Sequence, residues 1–170
     1  MPPAYQLVEA DTTARFEAAR ALIEEYAAQI GTMGVDLCFQ NLSDELDRLA
    51  LMYGPPTGCL LLAGHEEEWV GCGALRRFSD EACEMKRLYV KSSARGSRLG
   101  RVLAEHLVAR ARTLGYRRIV LDTLKDMIEA QSLYRSLGFR RITPYYSNPL
   151  AGVSYMELDL ENTQLGGHGS

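Results

Sequence analysis

The chain has no apolar run that approaches the ~18 residues a membrane-spanning helix needs. Met1 to Ala10 lacks the apolar core of a secretion signal, so the expected location is the cytoplasm. The four cysteines, Cys38, Cys59, Cys72 and Cys83, form no C-x-x-C pair and have no histidine at ligand spacing. That pattern argues against a metal site and against a disulfide framework. Three of them sit in strand-like apolar runs and read as buried free thiols of a reducing compartment. Positive charge is not in surplus: the formal net charge is -3, which speaks against a general nucleic-acid binder or a binder of anionic membranes. Internal repeats and low-complexity blocks are also missing.

What is present fits one folded domain. The 170 residues are 46% hydrophobic and 24% charged, close to globular averages. A chain of this length buries roughly two-thirds of its unfolded surface and needs no staple. Charge is unevenly spread. Ten basic residues fall between Lys86 and Arg118, with Glu105 the only acid among them, while the residues before Gly71 are acidic on balance. A basic middle in an acidic chain reads either as a local anion site or as a solvated face.

Periodicity supplies the elements. Tyr5 to Glu9 reads as a strand. Thr12 or Thr13 caps a helix whose apolar residues recur from Phe16 to Ile30. Ser43 is the expected cap of a second, shorter helix. Cys59–Ala63, Trp69–Leu75 and Cys83–Val90 are strand-like, and their short polar connections favour an antiparallel meander. A helix from Leu99 stopped by Gly115, a strand at Arg118–Asp122, a helix ended by Gly138, and strands at Phe139–Thr143 and Ser154–Leu160 follow. The expected fold is α/β (α+β): a mixed, mostly antiparallel sheet of six to seven strands with helices on both faces. The strand after the third helix returns parallel to the strand before it, and this central pair is expected to splay apart. Residues 1–160 form the expected domain, and 161–170 a polar, loose tail.

The most informative stretch runs from Leu88 to Arg101. A strand enters a turn containing Gly96, and the turn opens an amphipathic helix near Gly100. Free N–H groups and partial positive charge at a helix N-terminus bind phosphate, and Arg95, Arg98 and Arg101 add charge. Neither G-K-[ST] nor G-x-G-x-x-G is present, which excludes the nucleoside-triphosphate P-loop and the dinucleotide fingerprint. By itself, G-x-x-x-G also reads as a helix cap with a close-packed glycine.

The stretch resembles motif A of the GNAT acetyltransferase superfamily, [RQ]-x-x-G-x-[GA], at Arg95 and Gly100, with Arg98 in place of the middle glycine. Ala130 to Phe139 is similar to that family's motif B, A-x-x-L-Y-x-x-x-G-F, and the resemblance extends over roughly Leu60 to Leu160. The resemblance implies an N-acetyltransferase that takes acetyl-CoA as co-substrate, uses no metal, and transfers acetyl to a primary amine of a small molecule or peptide in a ternary complex. It implies a coenzyme A site at Leu88, Tyr89, Val90, Arg95, Gly96, Ser97, Arg98, Leu99, Gly100 and Arg101. Met127 stands where the family often has asparagine, and Tyr134 completes the set.

The resemblance also assigns chemistry. Tyr134 is the expected proton donor to the coenzyme A thiolate; on its own it reads as a packed tyrosine on the stripe with Ala130, Leu133 and Leu137. The backbone N–H of Leu88 is the expected oxyanion donor. Glu84 is the expected base; strand alternation puts it on one face with Lys86, Leu88 and Val90, and it also reads as half of an ion pair with Lys86 or Arg87. Gln40, Arg76, Tyr145 and Tyr146 are expected around the acceptor amine. Many family members dimerise, so a homodimer is compatible with the resemblance, and no residue pattern decides it. Two other readings stand beside the enzyme: a non-catalytic acyl-CoA sensor or scaffold on the same fold, and a nucleotide-binding protein using the basic loop.

Overall fold

Apolar strands in the middle of the chain build the sheet that carries everything else. The computed structural model describes residues 4–34, 41–65, 68–147 and 152–162. Gln40, Cys38 and most of the expected tail lie outside the described residues. The strands are β1 (Gln6–Glu9), β2 (Cys59–His65), β3 (Glu68–Arg77), β4 (Ala82–Val90), β5 (Arg118–Leu124), β6 (Arg140–Ile142) and β7 (Val153–Asp159). They form one seven-stranded sheet in the order β1-β2-β3-β4-β5-β7-β6. All neighbours are antiparallel except β4 and β5.

Five α-helices cover the sheet among the described residues: α1 (Thr13–Gly31), α2 (Leu42–Asp47), α3 (Leu49–Tyr53), α4 (Leu99–Thr113) and α5 (Ile128–Ser136). One face is packed by α4 and α5, whose Leu103, Leu107 and Tyr134 join Met85, Ile119 and Leu121. On the other face, Leu22 and Ile23 of α1 and Tyr53 of α3 meet Leu60, Leu62 and Cys72. Each fully buried leucine here contributes roughly 2 kcal/mol through apolar burial.

Thr12 caps α1 as expected, its side chain accepting from the Arg15 N–H at 3.2 Å. The second helical region departs from expectation. It starts after Asn41, which is left-handed at φ 56°, and leaves Ser43 inside the helix. Asparagine visits that conformation more readily than serine does, so it makes the entry turn. The region then breaks at Arg48 into α2 and α3.

Two irregularities of β4 shape the centre of the molecule. Its parallel ladder with β5 has three rungs, Ala82 with Arg118, Cys83 with Ile119, and Glu84 with Val120, and then stops. Beyond Glu84 the two strands part, as expected. On the other side, Cys72 of β3 pairs with Tyr89 while Ala74 pairs with Lys86, so β4 holds one extra residue. Arg87, at φ 59°, lies in this bulge. The bulge reverses the alternation of side chains. Glu84 and Lys86 point toward the α1 side of the sheet, whereas Leu88 and Val90 pack on the α4 side. The expectation that all four share one face is therefore overturned, because it assumed an unbroken ladder.

Candidate active site

Where β4 and β5 separate, a cavity of about 90 Å³ opens between them. Tyr134, Ala130 and Met127 border it from the α5 side; Tyr26, Lys86 and Asp122 border it too. The cavity thus links the two faces of the sheet, and Leu88, just past the bulge, stands at the join. A groove of about 640 Å³ runs on from it along β4 to the start of α4. Tyr26, Ile30, Leu88, Met127 and Ala130 line both spaces.

The groove gathers most of the expected binding residues: Leu88, Tyr89, Val90, Arg95, Gly96, Arg98, Leu99, Gly100 and Met127. The mouth of α4 has no side-chain cap, so its first amides face the groove without an internal acceptor. Arg98 caps this helix by its backbone alone, in a left-handed conformation at φ 63°. That conformation explains why glycine is usual at this place in motif A; here an arginine adopts it at a cost of about 1 kcal/mol. Gly96, at φ 85°, makes the preceding turn. Arg95 is anchored at the rim, with Nη2 donating to Gln29 Oε1 at 3.0 Å and Nε to the Val90 carbonyl at 3.3 Å. Free amides, a helix dipole and flanking arginines suit a phosphate-bearing ligand.

Two expected members are engaged elsewhere. Arg101 pairs with Glu105 at 2.9 Å and donates to Ser136 at 2.8 Å, tying α4 to α5. The Ser97 hydroxyl donates to the Ala94 carbonyl and so closes its own turn.

On the opposite face, Glu84 is 1% exposed and both its oxygens are used. Arg76 Nε donates to Oε1 at 2.7 Å, and the Tyr145 hydroxyl donates to Oε2 at 2.6 Å. Its ion-pair partner is therefore Arg76, across the β3–β4 ladder, and not Lys86 or Arg87. Arg87 pairs instead with Glu45 of α2, through Nε at 2.8 Å and Nη2 at 3.0 Å. Burial opposes the charge on Glu45, but the hydrogen bonds and charge of Arg87 outweigh it and hold the carboxyl below its ordinary value.

Tyr145 and Tyr146 pack against each other and against Tyr155 with centroids 5.2 to 5.5 Å apart. The Tyr146 hydroxyl donates to Asp122. Burial raises the pKa of the Tyr145 phenol, and neighbouring Glu84 raises it further, so it keeps its proton. Burial does the same for Tyr134. Tyr134 also packs on Phe139 at 5.6 Å, so the motif B tyrosine is both a core residue and a wall of the cavity.

Sequence reasoning missed Asp122, Lys86, Glu45 and Gln131. Asp122 had a visible signal, a charged residue inside the apolar strand Ile119–Leu124. Gln131 is buried and donates from Nε2 to the carbonyls of Leu124 at 2.7 Å and Lys125 at 3.0 Å, which fixes α5 against the end of β5. Glu45 carried no local signal, because its partner is 42 residues away.

Comparison with known proteins agrees with this architecture. The Acetyltransferase (GNAT) family model matches residues 17–139. An uncharacterised N-acetyltransferase of Schizosaccharomyces pombe is 42% identical over 143 residues, covering 83% of this chain and 86% of the relative. An acetyltransferase from Streptococcus agalactiae superposes with a TM-score of 0.76 at 24% identity, covering 91% of this chain and 98% of the other. A Bacillus subtilis acetyltransferase in complex with CoA superposes at 0.65 with 18% identity, covering 92% and 99%. The last two likenesses are likenesses of fold.

Proposed function

The chain belongs to the GNAT family of acetyltransferases, and on that premise we propose that it moves an acetyl group from acetyl-CoA to a primary amine of a small molecule or peptide, both being bound together. One observation carries the reading. The groove that ends at the uncapped mouth of α4 continues into the gap between β4 and β5, and Tyr134 borders that gap.

In this reading the amides of Gly96 and Gly100, with Arg95 and Arg98, hold the pyrophosphate. Tyr89, Val90, Leu99 and Met127 line the path of the slender arm, and the exposed edge of β4 serves it as a neighbouring strand would. Ser97 and Arg101 support the turn and the α4–α5 contact. The Leu88 amide faces the charge that builds on the thioester oxygen. A Bacillus subtilis acetyltransferase of the same fold was solved in complex with CoA, which supports coenzyme A as the ligand class.

The acceptor enters from the α1 side, among Arg76, Tyr145 and Tyr146. Its nitrogen lone pair forms the new C–N bond as the C–S bond breaks. One amine proton passes to the Tyr145 oxygen while the Tyr145 proton passes to Glu84, which is too deeply buried to be reached directly. Tyr134 donates to the departing sulfur. The burial that raises the pKa of this phenol also disfavours a bare thiolate beside it, so proton transfer to sulfur is helped. The products are an amide and a free thiol, and solvent returns Tyr134 and Glu84 to their starting states.

The test is direct. The protein is incubated with acetyl-CoA and a broad amine panel while free thiol is followed. Turnover above the uncatalysed rate, with a rise in melting temperature on adding coenzyme A, is expected. A melting temperature unmoved by millimolar coenzyme A would remove the reading; binding without turnover on any amine would favour the acyl-CoA sensor.

A further inference from the structure

On the acceptor side of the sheet two buried carboxylates have arginine partners. Arg76 takes Glu84, and Arg87 takes Glu45. Lys86, between them on β4, forms no ion pair among the described residues, and its cross-strand neighbour on β3 is Ala74, which offers no polar group. Lys86 is half-buried and lines the cavity between the parted strands. Burial lowers its pKa, Arg87 lowers it further, and the carboxylates of Glu84 and Glu45 only partly offset them. An ammonium held away from water without a partner is unfavourable, and a carboxylate supplied from outside would relieve it.

The opposite wall complements it. The last rung of the parallel ladder joins Glu84 to Val120, and two residues further along each strand stand Lys86 and Asp122 on the same face. Both line the cavity, and they form no ion pair with each other. Asp122 accepts from Tyr146 through one oxygen. The parted strands therefore present a cation on one wall and an anion on the other, with Leu88 at the same opening.

We propose that the acceptor is an amino acid, a molecule carrying a free carboxylate beside its amine, and that Lys86 is the group that receives this carboxylate. Asp122 draws the ammonium end toward the gap before the amine loses its proton. This deepens the acetyltransferase reading and rests on it.

The experiment compares common L-amino acids with their own carboxamides, which keep the amine and lose the negative charge. Acetyl-CoA is saturating and thiol release is followed. The wild-type protein is expected to prefer the carboxylate in kcat/KM by about 10- to 100-fold, the range of one charge-assisted hydrogen bond. Lys86→Met should collapse that ratio toward one, Lys86→Arg should keep most of it, and melting curves of each variant verify folding. Turnover of simple amines with equal use of acids and amides overturns the proposal and leaves the acetyltransferase reading intact. A preference that survives in Lys86→Met also overturns it. Absence of coenzyme A binding in the wild type removes both.

Discussion

The Glu45–Arg87 pair should be worth more than its two charges suggest, because it clamps the bulge that turns Leu88 into the gap. Glu45 is 2% exposed and Arg87 6%, and they meet through two hydrogen bonds of 2.8 and 3.0 Å. Breaking such a pair while leaving one charge buried costs about 3–5 kcal/mol. In a chain of this size each 1 kcal/mol moves the melting temperature by about 2–4 °C, so Glu45→Gln should lower it by ~6–20 °C at pH 7. Arg87→Gly separates the two roles of the arginine. Glycine keeps the left-handed backbone without strain, so its loss reports the missing partner of Glu45. The pair has a definite acid dependence. The folded pKa of Glu45 lies below its ordinary value of 4.5, so its contribution is whole above that value and fades as pH falls through the folded one. The gap between wild type and Glu45→Gln should therefore be constant from pH 6 to 8 and should narrow below about pH 4.5. Thermal melts across this range, followed by circular dichroism, measure it, and acetyl transfer on the same samples reports the bulge. A melting shift under ~2 °C at pH 7, or a gap that widens in acid, would refute the reasoning.

Other outcomes follow from the same structure. Tyr134→Phe should lower kcat by about 10²-fold with little change in the KM for acetyl-CoA, and an unchanged kcat would take its hydroxyl out of the reaction. Arg98→Gly should remove the left-handed strain and raise the melting temperature by about 2–4 °C, while the lost charge raises the KM for acetyl-CoA; saturation curves and melts read both. Burial pushes the thiols of Cys59, Cys72 and Cys83 up to about 12. None of the three should react with an aromatic disulfide reagent near neutral pH until the protein unfolds, and rapid labelling of any of them in the native state would contradict their burial.

Elements whose signals are local were legible in the sequence. The stripe of α4, the apolar runs of β2 to β5 and the glycines after α4 and α5 each announce themselves within a few residues. The groove was legible as well, since Arg95 to Gly100 follow one strand and open one helix. What stayed hidden depends on partners far along the chain. Lys86 and Leu88 alternate in the sequence as if they shared a face, and only the pairing of Cys72 with Tyr89 and Ala74 with Lys86 reveals the extra residue. The partner of Glu84 proved to be Arg76, eight positions upstream, because the β3–β4 hairpin sets them opposite one another. Asn41, and not Ser43, begins α2, since the entry turn there needs a backbone shape and not a capping hydroxyl.

A strand edge left without a neighbour on the outside of a protein invites other chains to zip onto it. Here the open edge of β4 lies at the middle of the sheet, screened by helices above and below, so a second polypeptide has no way to lie along it. In the proposed reading a slender ligand lies along that edge, and the cavity of about 90 Å³ at its end is where the groups arriving from the two faces meet. The break in the ladder that opens a site is thereby kept away from the surface, where the same unpaired amides would be an aggregation risk.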